Sequence, residues 1–399
     1  MRQSTTDTLG PTEASAWRAT LSGLCASLVG IGLARFAYTP LLPAIIGAGW
    51  FDAAAAAYLG AANLAGYLAG ALSAGPVVAR ISARTLLRGA MLVASGSFLA
   101  CAWPGGFLWF FAWRFISGVA GGAAMVLAAP AILPHVAVAR RGLVSGGIFV
   151  GVGVGIAASG TLVPLLLRAG LQEAWLGLGA AALALTAAGW NGWPAQGPAA
   201  PKSRSALPPS RARALRALYA VYGLNAFGLV PHMVFLVDFV SRGLGRGLDA
   251  GSGYWVLFGM GAMAGPLVTG LVADRIGFRS TLRLALLLEA VAVALPGISH
   301  SPAGLVLSCL VVGACTPGVV PLALGRTQEI LRDHASAQKR AWSAATTSFA
   351  VMQAAGAYGL SFVFIRSGGD YRLLFGIGAA TLALALAVDL LASEGREPY

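Results

Sequence analysis

The sequence predicts an all-α membrane protein of twelve transmembrane helices in two pseudo-symmetric six-helix bundles. Three observations predict it. Twelve apolar runs, each long enough to cross a bilayer, fill nearly all of the 399 residues. The composition is 57% hydrophobic and 10% charged, with a mean hydropathy of +0.77. A soluble domain could not hide this much apolar surface, whereas a chain facing lipid has no need to. The basic residues, finally, segregate to alternate loops.

The elements follow in order. Residues 1–17 form a polar tail in which Arg2 is the one base among the first sixteen, without the charged n-region or small-residue cleavage site of a signal peptide, so the first helix is expected to be retained. The first bundle, 18–193, holds runs at 18–46, 53–78, 85–105, 107–130, 141–167 and 172–193. Each supplies the roughly 20 apolar residues that span the hydrocarbon core as a helix. Residues 194–212 are rich in Pro, Ser, Ala and base, which reads as a flexible linker. The second bundle, 213–393, holds runs at 213–240, 251–273, 281–298, 302–325, 340–365 and 371–392, followed by a short tail, 394–399.

The net charge of +13 suggests a nucleic-acid binder until the bases are placed. Twenty of the 27 Lys and Arg fall on the face holding both termini and the even-to-odd loops. The opposite face has five, Arg168, Arg242, Arg246, Arg366 and Arg372, and Arg35 and Arg114 lie inside helices. This is the positive-inside pattern; it places both termini in the cytoplasm of a bacterial inner membrane and leaves no nucleic-acid role. Cys25, Cys101, Cys309 and Cys315 are scattered within apolar runs, so neither a disulfide framework nor a metal site is expected. There is no phosphate loop and no H-E-x-x-H. The Gly151-Val-Gly153-Val-Gly155 run lies inside a membrane helix with no preceding strand. No cofactor and no enzymatic activity are expected.

The halves show internal repetition. GPVVARISARTLL (75–87) follows the second helix and GLVADRIGFRSTL (270–282) the eighth, 195 residues on; Pro40 and Pro231 share a similar offset of 191. Two related six-helix halves are a common plan for secondary transporters, with the substrate site between them near the midplane.

The second of these loops resembles the signature of the major facilitator superfamily, with Gly270, Asp274, Arg275, Gly277, Arg279 and Leu282 on the pattern and Val272 in place of its Leu. The first-half copy has Ala79 and Ser82 where Asp and Gly belong. Arg114-Phe-Ile-Ser-Gly118 resembles that superfamily's R-x-x-x-G element. GIGLARFAYTPLLPAI in the first helix, YGLNAFGLVPHMVFLVDF in the seventh and TTSFAVMQAAGAYG in the eleventh are similar to the YbfB/YjiJ-type branch. The resemblance implies the major facilitator fold, with helices 1, 4, 7 and 10 around a central cavity.

Candidate functional residues follow. Arg35 lies about 17 residues into the first helix, roughly 25 Å deep at 1.5 Å per residue. An Arg in hydrocarbon faces the protein interior or water. Tyr38 and Thr39 share its face. Its planar fork suits a carboxylate or phosphate; a structural Arg capping carbonyls or pairing with an internal acid is the alternative. Arg114 sits at a comparable height, and the resemblance associates it with proton coupling in exporters; a packing role is the alternative. Further proton-coupling candidates are Asp238, near the end of the seventh helix, for which a simple interfacial charge is the alternative, and Glu289 in the ninth, which the resemblance puts in the outer ring. Tyr222, Asn225, His232 and Gln353 add polar groups expected near the cavity, or else join helix to helix. Asp274, with Arg140 and Arg141 at the start of the fifth helix as partners, is expected to hold a gate. Ladders of small residues, Gly147, Gly151, Gly155 and Ser159 on the fifth helix and Gly66, Gly70 and Ala74 on the second, are expected to pack tightly, the former between the halves. Val152 after Gly151 departs from the superfamily's exporter motif, which has Gly-Pro there.

The expected function is secondary active transport of a small organic solute, an anion being the first candidate, by a proton-coupled alternating-access monomer among membrane lipids. A proton-driven exporter of drugs or amphiphiles is the alternative in the same class, and a transporter-like sensor or scaffold the alternative in another.

Overall fold

The computed structural model describes residues 13–136, 141–194, 208–332 and 334–392. Twelve helices follow one another there: α1 (13–47), α2 (Ala53–Val78), α3 (Ala83–Ala100), α4 (Gly106–Ile132), α5 (Arg141–Leu167) and α6 (Leu171–Ala188). The second six are α7 (209–243), α8 (Gly247–Ile276), α9 (Phe278–Ile298), α10 (Pro302–Ile330), α11 (Ala335–Arg366) and α12 (Tyr371–Leu391). Eleven are long and apolar enough to cross a membrane; the remaining one, α3, carries Arg84 and Arg88 in its first two turns. Large apolar side chains such as Leu72, Leu108, Leu165, Leu271 and Val291 stand exposed around the outside, as a lipid-facing belt requires.

Hydropathy misplaced several ends. α8, α10 and α11 run past the expected 251–273, 302–325 and 340–365, because a helix satisfies its own backbone and continues into polar sequence. α3 begins at Ala83, where the Ser82 side chain accepts from the Thr85 amide, and stops at Ala100 rather than 105.

The internal repeat reappears as packing geometry. A Cβ on Gly66, Gly70 or Gly118 would run into the backbone of Phe115, Val119 or Asn63, so α2 and α4 touch main chain to main chain. A Cβ on Gly261, Gly265 or Gly313 would meet Leu310, Ala314 or Phe258 in the same way, joining α8 to α10. Every member of the second set lies 195 residues after its counterpart. Arg88 and Arg283 obey the same offset: the first donates to the Trp190 carbonyl on the α6 side (2.8 Å), the second to Asp389 of α12 (2.6 Å).

Among the described residues, two buried hydrogen bonds cross between the bundles. Thr39 Oγ1 of α1 donates to the Met233 carbonyl of α7 (2.6 Å), and Trp255 Nε1 of α8 donates to Ser159 Oγ of α5 (3.0 Å). The rings of Tyr58 (α2) and Tyr358 (α11) also meet across the divide, centroids 6.1 Å apart. All three contacts lie toward the base-poor face. The α5 ladder splits: Ser159 meets the other bundle as expected, but its glycines do not. Gly147, Gly151 and Gly155 pack on Thr20, Leu24 and Gly32 of α1, within their own bundle. It is Gly153 and Gly160, on the opposite side of α5, that receive α8. At about 100° per residue, a step of two, as from Gly151 to Gly153, turns a glycine by roughly 200° onto the opposite side of the helix.

Both α1 and α7 are interrupted. Residues Leu28–Leu33 of α1, and Pro231–Phe235 and Phe239–Gly243 of α7, form π turns. Such turns widen a helix and re-aim its side chains, and they concentrate at functional sites. Pro231, with no N–H, removes one rung of the ladder.

Candidate functional site

The π turn of α1 delivers Arg35 and Phe36 into the interior just as α4 delivers Arg114. Arg35 is 9% exposed, with its guanidinium 5.3 Å from the Phe36 ring centroid and 5.2 Å from that of Tyr67 on α2. Its Nε and Nη2 are buried without a hydrogen-bond partner. Arg114 is 3% exposed and lies 4.3 Å over the Tyr38 ring. Its Nη1 donates to the Ala34 carbonyl (2.7 Å), and its Nε has no partner. Asn63 of α2 holds the Arg114 carbonyl at 3.2 Å, fixing α4 against α2 where the glycines bring them together.

Both arginines line one cavity, with Tyr38 and Thr39 from α1 and Met233 and Val234 from α7. Its volume is ≈ 20 Å³, room for a single water. Among the described residues no carboxylate forms an ion pair with either arginine. A buried charge lacking a counter-ion is costly by several kcal/mol, and a cation–π contact offsets only about 0.5–2 kcal/mol of it. The positions 195 residues on are Val230 and Cys309, so the positive charge belongs to the first bundle alone.

The sequence-level candidates divide. Arg35, Arg114, Tyr38 and Thr39 come together, although the Tyr38 hydroxyl is committed to the Ala56 carbonyl (2.7 Å) and that of Thr39 to Met233. Gln353 stands one layer behind the cavity, its Nε2 3.3 Å from Met233 Sδ. Tyr222 lies lower, against Trp342 and Phe349. Asn225 and His232, expected near the cavity, point the other way: Asn225 Nδ2 donates to Glu289 of α9, and His232 Nε2 lies 2.8 Å from Ser308 Oγ of α10. Seven residues apart, they share the face of α7 that α9, α10 and α12 cover. Glu289, which an outer-ring helix would turn toward lipid, is fully buried. Asp238 is 1% exposed and is bound by Arg242 and by the Tyr371 hydroxyl (2.6 Å). Tyr67, the second ring beside Arg35, escaped the sequence reading; its position four residues after Asn63, on the face of Gly66 and Gly70, was the available signal.

A family described as "Uncharacterised MFS-type transporter YbfB" matches residues 27–390. The chain belongs to this family of major facilitator transporters. It is an integral membrane protein of the transport class rather than an enzyme. No curated protein matches it by sequence. Among solved structures it is similar to the "partially occluded inward open conformation of the xylose transporter XylE from E. coli", with a TM-score of 0.75 and 12% identity over 96% of this chain and 100% of that one. At that identity the likeness is one of fold.

In this transporter the signature loop is formed but loosely engaged. Gly277 joins α8 to α9 at φ +83° and ψ 157°, a region open essentially to glycine alone. Asp274 is exposed and has no hydrogen bond or ion pair among the described residues, and Gly270 faces open space. Arg275 is also exposed. Arg279 turns to Asp389 at the end of α12 (3.8 Å), alongside Arg283. The expected partner Arg140 lies outside the described residues, as does the side chain of Arg141.

Proposed function

We propose that this transporter carries a small organic anion by proton-coupled alternating access, holding the anionic group between Arg35 and Arg114. The observation that carries this reading is the pair of buried guanidiniums lining one cavity, both with unpartnered N–H groups and with no acid paired to them among the described residues. A carboxylate or phosphate is the counter-ion this arrangement lacks. With the base-rich face toward the cytoplasm of a bacterial inner membrane, the inter-bundle contacts at Thr39, Trp255 and Tyr58 lie on the periplasmic side, and the site opens when the bundles rock. Asp274 acts in the gate at the opposite end, and the transporter works as a monomer.

The test is a thermal-shift screen of monocarboxylates, dicarboxylates and phosphate on purified protein, followed by uptake of the stabilising anion into proteoliposomes with and without a pH gradient. Stabilisation that is lost in both Arg35→Ala and Arg114→Ala is expected. If no anion raises the melting temperature, or both variants respond as wild type does, the anion reading fails.

A further inference from the structure

We propose that Glu289 and Asn225 form a proton-binding site behind α7, separate from the arginine cavity in front of it. The inference rests on the reading of the chain as a proton-coupled transporter, but not on the solute being an anion. Both side chains are completely buried. Asn225 Nδ2 donates to Glu289 Oε2, which leaves two atoms over: Glu289 Oε1 and Asn225 Oδ1 are each buried without a partner. Both are acceptors, so they have nothing to give each other. One proton on Oε1 changes this. The acid O–H then donates to Asn225 Oδ1 while the amide N–H donates to Oε2, and the pair closes with both orphans satisfied and no net charge. Without that proton the carboxylate retains one amide donor and no cation, in a membrane interior where an unpaired charge is strongly disfavoured.

Among the described residues the surroundings supply no other counter-ion. On α10 the titratable neighbour is Cys315, whose thiol lies 3.8 Å from the Ala285 carbonyl of α9. On α7 itself His232 is occupied with Ser308 and the edge of Phe375, and Tyr222 with Trp342 and Phe349. The buried residues of α12 preceding Asp389 are apolar, among them Leu382 and Ala385, and Asp389 is held by Arg283 and Arg279. The buried positions of α8 include no titratable group. α7 therefore presents Met233 and Val234 to the arginine cavity and Asn225 to the acid, with the π turn Pro231–Phe235 in the same helix. Loss of the proton breaks the pair and biases α7, which is how a proton bound on one side is felt at the cavity on the other.

Infrared difference spectroscopy on the full-length protein in lipid tests the site without any ligand. At neutral pH the wild type should show the C=O stretch of a buried carboxylic acid. Glu289→Gln should remove it, Asn225→Leu should shift it through the lost hydrogen bond, and Arg35→Ala should leave it in place. The coupling is read from a thiol crosslink between Tyr58→Cys and Tyr358→Cys. Its yield should change between acid and alkaline pH several-fold more in the wild-type background than with Glu289→Gln added, where only the ionisation of the two thiols themselves remains. The proposal is overturned by the absence of an acid band in the wild type, by a band that survives Glu289→Gln or ignores Asn225→Leu, or by a crosslink pH response that is the same with and without Glu289. Should Glu289→Gln fail to fold, the Asn225→Leu shift decides. Loss of anion stabilisation in Arg35→Ala with the acid band intact would show that the two sites stand independently.

Discussion

At the scale of single residues, Arg35 is the position where charge, shape and burial can be separated. Its guanidinium is flanked by Phe36 and Tyr67 and has two unpartnered nitrogens. Arg35→Lys keeps the charge but loses the paired donors and the planar stack, so it should weaken anion binding; Arg35→Ala should nearly abolish it. Removing one member of a desolvated charge pair costs about 2–5 kcal/mol, or roughly 30-fold to several-thousand-fold in affinity. Titration calorimetry on variants with wild-type melting and gel-filtration profiles measures this, and a well-folded Arg35→Ala protein with unchanged affinity would make Arg35 structural. Gly277 makes a simpler prediction. With φ +83° and ψ 157°, any side chain is strained there by about 1–3 kcal/mol. Gly277→Ala should lower the melting temperature, whereas Gly270→Ala, where a Cβ meets nothing within 4 Å, should not. Equal melting of the two would mean that the α8–α9 connection tolerates the strain.

At the scale of helices, backbone contact between α2 and α4 is what places Arg114 at the height of Arg35. Gly118 lies one turn beyond Arg114 and rests on the Asn63 carbonyl, and Asn63 in turn holds the Arg114 carbonyl. Gly118→Ala should force the two helices apart, at about 1–3 kcal/mol for an overpacked contact. It should impair anion binding more than its loss of stability explains. Gly313→Ala, the matched change between α8 and α10, should cost similar stability while sparing the arginine pair. Melting curves and affinities measured side by side on the two variants check this, and equal affinities would uncouple α2–α4 packing from the site.

At the scale of the molecule, the proposed alternating-access cycle would part the bundles where Thr39, Tyr58 and Trp255 now join them. Tyr58→Cys with Tyr358→Cys, joined by a short bifunctional thiol reagent, should hold that end shut and stop transport without preventing folding; the four native cysteines are buried and should not compete. Undiminished uptake by the crosslinked protein would show that this end stays closed throughout the cycle. Reporter fusions after residue 205 and at Tyr399 test the orientation, and both should report cytoplasm.

The sequence by itself determined the class, the number of helices and the internal repeat. Those rest on composition and periodicity, and lipid makes both nearly compulsory: a spanning segment must be apolar and must satisfy its own backbone. It also singled out Arg35 and Arg114, because a charge in a membrane helix needs a reason wherever it falls. Tertiary structure alone decided which way each polar side chain points. Asn225 and His232 look like cavity residues in the sequence, and Glu289 looks stranded on an outer helix; packing turns all three into the interior behind α7. The ladder of α5 looks like one inter-bundle face, yet its glycines pack on α1 while Ser159 meets α8. A helix presents every direction within one turn, so spacing along the chain fixes which residues share a face. Which neighbour covers that face depends on how twelve helices pack together.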